Sequence, residues 1–308
     1  MNSTKPTQAT AIALALIASF LWASSFIYIE FGLEEIEPIT FAALRYVIGA
    51  ATLLAFWIYR GGLRQRTVTG RPAVAVVGLG VLLYAAVPAL QFLGLDQTEA
   101  VTFNFVFQAG IPLVLALSAG TILKERTNWW EWLGVAVVVA GAWVFFPALP
   151  AGADRRGVIL AATAAVFIGG SNLMQRRVLR RPGTSALEVT ALSMTIGAVI
   201  LAVIAAFVNE LPEFNLDLVV LLFVLGVVNT AVAFFIWHRA MQTLRALHAG
   251  VIASTQLVFV PLLATWWLDE AFGLRRAVGS AIVLVGITFV HYSRAGANRP
   301  RTMSGTRS

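Results

Sequence analysis

The sequence of 308 residues contains no cysteine and few charged residues. Without cysteine there are no disulfides, no thiolate metal sites and no cysteine nucleophile. Charged residues make up 12% of the chain, whereas soluble domains contain about 25%. Hydrophobic residues make up 59%, and the mean hydropathy is +0.82. Because a soluble fold cannot keep so much apolar surface away from water, we predict that lipid surrounds most of the chain.

Motifs of enzyme chemistry are missing as well. The sequence has no His-Glu-x-x-His, no Gly-x-Ser-x-Gly and no phosphate-binding Walker loop. The segment Gly169–Asn172 is a poor match to a nucleophile elbow, and no apolar run carries a pair of carboxylates. We therefore predict a protein that is not an enzyme, with no catalytic residues, no metal and no cofactor.

Apolar runs of membrane-spanning length occur throughout the chain. About 20 apolar residues suffice for a helix to cross roughly 30 Å of hydrocarbon, and a backbone in lipid must satisfy its hydrogen bonds within its own segment. The pattern predicts an all-α integral membrane protein with ten transmembrane helices. The predicted spans are 11–31, 39–59, 73–93, 100–123, 130–149, 157–177, 185–208, 217–240, 247–268 and 274–293.

The second half of the chain resembles the first at a constant offset of 145 residues. Glu125 corresponds to Glu270, Gly134 to Gly279 and Gly141 to Gly286, and a Gln-Thr pair precedes each set. This order indicates an internal duplication, with five-helix repeats at 11–149 and 157–293. Since five is odd, the second repeat would enter the membrane inverted, as in many transporters that carry a substrate site at the repeat interface.

The distribution of basic residues indicates how the chain is oriented in the membrane. If the N-terminus is cytoplasmic, 17 of the 22 Lys and Arg residues fall on the inner side, while the acidic loop residues fall mainly outside. We therefore predict an inner (plasma) membrane protein with both termini in the cytoplasm. The basic residues that give the net charge of +7 lie in the inner loops rather than along a groove, so no nucleic-acid partner is expected.

Several segments resemble one known family. The segments 20–26 (FLWASSF) and 38–46 (PITFAALRY) are similar to the first two helices of EamA-type permeases of the drug/metabolite transporter superfamily. Pro112, Glu125 and the segment 132–141 are similar to its fourth and fifth helices. The resemblance implies a ten-helix inner-membrane carrier, often an exporter of amino acids and related metabolites. It also implies that helices five and ten are peripheral while the others line a central cavity.

Polar side chains recur at related depths in the predicted spans. Such groups are costly in lipid and so mark functional sites or contacts between helices. Tyr84 and Asn229 correspond at the offset of 145, and Asn104 and Gln108 are four residues apart on one helical face. For each amide, substrate contact and interhelical hydrogen bonding both stay open. The candidate substrate-binding residues are Trp22, Tyr84, Asn104, Gln108, Asn172, Asn229 and Gln256.

Arg45 and Glu30 are charged residues inside the predicted spans. Arg45 could attract a substrate carboxylate, but we favour an ion pair with Glu30 or Glu34. Glu30 is the best candidate for proton coupling. His238, near an inner helix end, is expected to be solvated or to cap a helix.

The sequence thus predicts a secondary transporter of a small organic metabolite, an amino acid or an analogue, which works outward by alternating access of two inverted repeats. A multidrug or organic-cation efflux carrier of the same fold is one alternative, and a non-transporting scaffold or channel is the other. The expected partners are the substrate and the bilayer, and the chain would be a monomer or a homodimer.

Overall fold

The computed structural model describes residues 6–64, 68, 71–121, 129–146, 151–179, 184–208, 210, 212–241, 243–244 and 251–297. All regular structure in these residues is helical, which confirms the predicted all-α class. The predictions on Pro112, Glu125 and the two termini concern residues or side chains outside the described set.

The helices follow the ten predicted apolar runs. In the first half they are α1 (Gln8–Leu33), α2 (Pro38–Tyr59), α3 (Arg71–Val81, Leu82–Ala86 and Val87–Leu95), α4 (Ala100–Thr121) and α5 (Trp129–Phe145). In the second half they are α6 (Gly152–Leu179), α7 (Ala186–Val208), α8 (Leu216–Phe223, Val224–Val232 and Ala233–Met241), α9 (Gln256–Trp267) and α10 (Leu274–Ala297).

Five of these helices are long and apolar enough to cross a membrane by length and composition, namely α1, α2, α3 from Ala73, α7 and α8. Three further apolar stretches are shorter, at Ala100–Ile111, Trp132–Phe145 and Val251–Trp267. Large side chains such as Ile17, Phe207 and Leu262 are exposed along the helices, as expected for surfaces that face lipid.

Two helices contain a wider turn that the sequence did not predict. The central segments of α3 (Leu82–Ala86) and α8 (Val224–Val232) are π-helical, with helical backbone angles on both sides, so each helix continues through its π segment. At the offset of 145, Leu82–Ala86 corresponds to residues 227–231, inside the second π segment. The two halves therefore carry the same irregularity at equivalent positions, and such segments are frequent at functional sites.

The described part of the predicted span 247–268 is helical, but a turn interrupts its regular hydrogen bonding. A short helical stretch at 251–253 ends in a turn, and α9 begins at Gln256. The hydroxyls of Ser254 and Thr255 donate to the carbonyls of Val251 and Ile252, which satisfies backbone groups at the break. Side-chain hydrogen bonds of this kind compete with the helical ladder.

Helix packing has the same pattern in both halves. α1 packs on α8 and α9, and α6 packs on the equivalent helices α3 and α4. Likewise α2 packs on α8, and α7 packs on α3. α5 and α10 pack mainly on each other and run antiparallel, because Phe145 meets Gly279 while Val138 meets Gly286.

One end of the bundle gathers the acidic connections. We call it the acidic end, and it comprises the loops 34–37, 96–99 and 268–273, residues 210 and 212–215, and the first turn of α6. The Thr98 hydroxyl donates to Asp154 Oδ1 at 2.7 Å, and the Asn215 amide donates to Glu35 at 3.2 Å. Glu99 forms an ion pair with Arg276 at 2.6 Å.

Candidate functional site

An aromatic cluster joins three helices in the middle of the bundle. The ring of Phe234 on α8 lies 5.2 Å from that of Trp22 on α1 and 5.4 Å from that of Tyr84 on α3. Trp22 also contacts Trp237 at 5.1 Å. The structure therefore connects Trp22 and Tyr84, two of the sequence-predicted residues, through Phe234. Phe234 itself was not predicted, because in a span its apolar ring looks like any lipid-facing phenylalanine.

Asn229 ties α8 to α1. Its amide nitrogen donates to the carbonyl of Leu21 and, at 2.9 Å, to the hydroxyl of Ser24. Asn229 is 1% exposed and lies in the π segment of α8. The equivalent Tyr84 lies in the π segment of α3, where the backbone of α7 approaches so closely that a Cβ at Gly197 would be 2.5 Å from Tyr84.

Asn104 makes the corresponding link between α4 and α9. Its amide nitrogen donates to the carbonyl of Gln256 at 3.1 Å, next to the break before α9. The Asn104 carbonyl oxygen is buried and has no hydrogen-bond partner. Gln108, one turn further along the same face, and Gln256 are both at least 94% buried. Three of the predicted amides thus lie at or near the interface of α4 with α9.

Asn172 is the predicted residue that the structure does not connect to the others. It is half-buried on α6, and within the described ranges no hydrogen bond joins it to another predicted residue. Its neighbour Ser171 is buried and donates to the carbonyl of Phe167 within the same helix.

His238 corrects the expectation of a solvated or capping histidine. It is buried, and its Nδ1 and Nε2 lie 3.1 Å from Thr190 Oγ1 and 3.0 Å from Gln175 Nε2. Because the Thr190 hydroxyl donates to the Ala186 carbonyl, Nδ1 carries the proton and donates to Thr190. Nε2 then accepts from Gln175. The partners come from α6 and α7, so the sequence of α8 alone gave no sign of them.

Arg45 corrects a second expectation, because it forms no ion pair with Glu30 or Glu34. Its Nε donates to Thr230 Oγ1 at 2.9 Å, and its guanidinium lies over the rings of Tyr46 and Phe92. Arg45 is 3% exposed. The side chain lies in the contact between α2 and the π segment of α8, where the backbone of Arg45 meets Gly226.

Glu30 instead lines a cavity of about 400 Å³ at the acidic end. The cavity wall holds five carboxyl groups, those of Glu30, Glu34, Asp96, Glu99 and Glu270. One carboxyl oxygen of Glu30 is buried without a partner. Of the nine residues proposed from the sequence, Glu30 is the one that lines this cavity.

Glu270 in the same cavity caps a helix of the other half. Its two carboxyl oxygens accept the backbone N–H groups of Ala100 and Val101 at 2.8 and 3.1 Å, at the N-terminus of α4. Burial raises the pKa of Glu270, and the two N–H groups and Arg276 oppose that rise. The nearby Glu99 carboxylate raises the pKa of Glu270 further. The favourable helix N-terminus thus only partly compensates for removing this carboxylate from water.

Five buried side-chain atoms in the described residues have no hydrogen-bond partner. In the described residues they are Glu30 Oε1, Thr40 Oγ1, Arg45 Nη1, Tyr84 OH and Asn104 Oδ1. An orphan buried group is costly, so each one is a position where a bound molecule could supply the missing hydrogen bond. The guanidinium and the hydroxyls can donate, and the carboxyl and amide oxygens can accept.

Comparison with known proteins gives one family for both halves of the chain. The model of the EamA-like transporter family matches twice, at residues 9–146 and 155–292. A solved structure, described as a crystal structure of a protein, covers 94% of this chain and 99% of its own at a TM-score of 0.69 and 20% identity. That likeness concerns the fold alone.

Relatives from bacteria and archaea carry transporter names. An uncharacterized transporter of Archaeoglobus fulgidus is 24% identical over 90% of this chain and 96% of its own. A probable terminal-alkyne amino-acid exporter of Streptantibioticus cattleyicolor is 25% identical over 96% and 98%. The uncharacterized inner membrane transporter YedA of Escherichia coli is 28% identical over 41% of this chain and 40% of its own.

Proposed function

Because this chain belongs to the EamA-like transporter family, and so is a multi-pass membrane transporter of small molecules, we propose that it is a secondary carrier of an amino acid or a close analogue. We propose export as the direction, with both termini in the cytoplasm and the acidic end outside. The family match over both halves carries this proposal.

The proposed mechanism is rocking of two inverted repeats, 11–149 and 157–293, of five spans each. Three observations support it. The family model matches once in each half. The helix contacts of one half recur between equivalent helices of the other, and the π segments fall at equivalent positions. α5 and α10 pack antiparallel through equivalent glycines, as an inverted pair would.

The substrate class is supported by the unpartnered polar atoms. An amino acid offers a carboxylate, an ammonium group and an apolar part. The donors Arg45 and Tyr84 suit the carboxylate, and the acceptors Asn104 and Glu30 suit the ammonium group. The aromatic cluster of Trp22 would contact the apolar part. The amino-acid exporter name of the Streptantibioticus cattleyicolor relative points the same way.

The candidate substrate-binding residues divide into three proposed roles. Trp22, Tyr84, Asn104, Gln108 and Gln256 are proposed to face the substrate during transport. Asn229 is proposed to position the site, because its amide nitrogen already bonds α1. Asn172 is proposed as a contact on α6 that forms in another state of the transport cycle.

An organic-cation efflux carrier is the second candidate, and the acidic cavity favours it. Five carboxyl groups around about 400 Å³ would attract a cation. Competition experiments separate the two candidates, since a cationic amine without a carboxylate should bind as well as the amino acid in a cation carrier and more weakly in an amino-acid carrier.

Counterflow in proteoliposomes tests the proposed function. Vesicles loaded with unlabelled amino acid should transiently accumulate the same radiolabelled amino acid above its equilibrium level, with saturation. A channel equilibrates without this overshoot, and a scaffold shows no flux. Absence of overshoot with the twenty common amino acids and with cationic amines would remove the carrier assignment.

A further inference from the structure

Arg45 is a buried cation without an acidic partner in the described part of the chain. It is 3% exposed, and its Nη1 has no hydrogen-bond partner. The ion pair that the described residues do form, Arg276 with Glu99, lies at the acidic end with both side chains partly exposed. A buried charge is normally paired, and an ionisable residue in a transmembrane helix marks a functional site by default.

The surroundings of Arg45 compensate its charge only in part. The guanidinium carbon lies 5.7 Å from the ring centroid of Tyr46 and 5.9 Å from that of Phe92. These contacts and the bond to Thr230 use one edge and the faces of the guanidinium. They leave the Nη1 N–H groups free to bind an anion, and guanidinium matches a carboxylate with two parallel hydrogen bonds.

The fold does not need Arg45 in order to satisfy its neighbours. The Thr230 hydroxyl donates to the Leu225 carbonyl at 2.8 Å, and it merely accepts from Arg45. Removing the guanidinium would therefore leave no buried donor newly unpaired in this contact. If the role of the arginine were purely structural, its removal would leave a buried donor or a carboxylate without a partner.

A second buried donor without a partner, the Tyr84 hydroxyl, belongs to a ring that contacts Tyr46. The ring of Tyr84 is 6.4 Å from that of Tyr46, which also contacts the Arg45 guanidinium. Tyr84 is 1% exposed, and its hydroxyl has no partner at ordinary hydrogen-bond geometry, although Thr190 lies close enough to interact with it. Two buried donors beside Tyr46 thus lack a partner, and an anionic oxygen would supply the acceptor that both need.

We infer that Arg45, together with the Tyr84 hydroxyl, binds the carboxylate of the transported molecule. This inference rests on the proposed function and narrows it to carboxylate-bearing substrates. It excludes a simple organic cation, because an uncompensated guanidinium at the site would repel it. The acidic cavity at Glu30 then receives the positively charged end of a zwitterion, or simply lies on its path.

Thermal stabilisation of the purified protein tests the inference. The twenty common amino acids are screened first, and the one that raises the unfolding temperature most is taken forward with its methyl ester and its decarboxylated amine. Ligand that binds only the folded protein raises its apparent stability. In wild type we expect the free acid to bind at least tenfold more tightly than the ester or the amine.

Variants assign that preference to the arginine. Arg45→Gln, Arg45→Met and Tyr84→Phe should each weaken binding of the acid, with Arg45→Met losing the preference over the ester altogether. The unfolding temperature of the unliganded Arg45→Met protein should stay level or rise. Arg60→Gln is the matched control, since Arg60 ends the same helix at an exposed position and lies over the ring of Phe56, and it should bind as wild type does.

Two results would overturn the inference. In one, Arg45→Met keeps the preference for the acid, which leaves the carrier assignment intact and makes Arg45 structural. In the other, the wild type binds the ester or amine as well as the acid, which favours the cation carrier. Failure of the proposed function is distinct, because it shows as absent counterflow with amino acids and amines alike.

Discussion

At the scale of single residues, His238 shows how a polar group is held inside the bundle. Both of its ring nitrogens are used, one as a donor to Thr190 and one as an acceptor from Gln175. Its ring also stacks on Phe234 at 6.2 Å, so the network adjoins the aromatic cluster of Trp22 and Tyr84. Removing one member should leave its partner unsatisfied, whereas removing a facing pair should not.

A double-mutant cycle measures this coupling. His238→Phe should lower the free energy of unfolding by about 1–3 kcal/mol, because the partly buried Gln175 amide then loses its acceptor. Gln175→Leu should act similarly. The double variant should lose less than the sum of the two. Unfolding in detergent gives the four values, and strict additivity would contradict the network.

Glu270 gives a prediction for pH dependence. Burial raises its pKa above the usual value of 4.5, so the folded protein holds this proton more readily than the unfolded chain. The stability from this group is therefore full below pH 4.5 and is lost as pH rises through the folded pKa.

We expect Glu270→Gln to show a shallower fall of unfolding temperature between acid and neutral pH than wild type. The control is Glu213→Gln, which removes an exposed carboxylate from a loop at the same end. Parallel curves for wild type and Glu270→Gln would show that Glu270 does not titrate differently in the two states.

At the scale of helices, close approaches concentrate where the two halves meet. Gly197 on α7 faces the backbone of Tyr84 in the π segment of α3, with an added Cβ only 2.5 Å from it. Gly49 on α2 faces the Thr230 side chain in the π segment of α8, with an added Cβ 2.8 Å from its Cγ2. Small residues at such interfaces allow the backbones to approach, which is how helices associate in lipid.

Substituting these glycines distinguishes packing from helix propensity. Gly197→Ala should destabilise the protein by about 1–3 kcal/mol, because rigid backbone atoms of α3 must move away. Gly170→Ala on α6 is the control, since nothing lies within 4 Å of an added Cβ there. It should be neutral or stabilising by up to about 1 kcal/mol. Equal effects on the unfolding temperature would contradict the tight contact between α7 and α3.

The sequence predicted the elements better than their contacts. Long apolar runs and loop charges specify where helices lie, because lipid permits little else. The π segments were not predictable, since the sequence of Leu82–Ala86 is typical of an ordinary helix and the backbone of α7 that packs against it is distant in sequence. The same holds for Arg45, which donates its hydrogen bond to Thr230, 185 residues away in sequence. Charge alone suggested Glu30 or Glu34 as its partner.

At the scale of the whole molecule, polar contacts at the acidic end join the first half to the second. Thr98 bonds Asp154 on α6, and Glu99 pairs with Arg276 on α10. Glu270 caps α4, and Asn215 bonds Glu35. If the halves rock against each other, these bonds must break and re-form in each transport cycle. The exposed pairs among them, Glu99 with Arg276 and Asn215 with Glu35, are weak, which suits contacts that open repeatedly.

Covalent linkage across this end tests the rocking mechanism directly, and the absence of native cysteine makes the experiment simple. Thr98→Cys with Asp154→Cys replaces two short side chains whose oxygens are 2.7 Å apart. Joining them by oxidation or by a short thiol-specific linker should lower counterflow at least tenfold, because the halves can no longer separate there. A reducing agent should restore the counterflow.

Each single-cysteine variant, treated identically, measures the loss of the hydrogen bond alone. Linked protein that transports at the unlinked rate would mean that the acidic end stays closed throughout the cycle, and that the substrate leaves by another route.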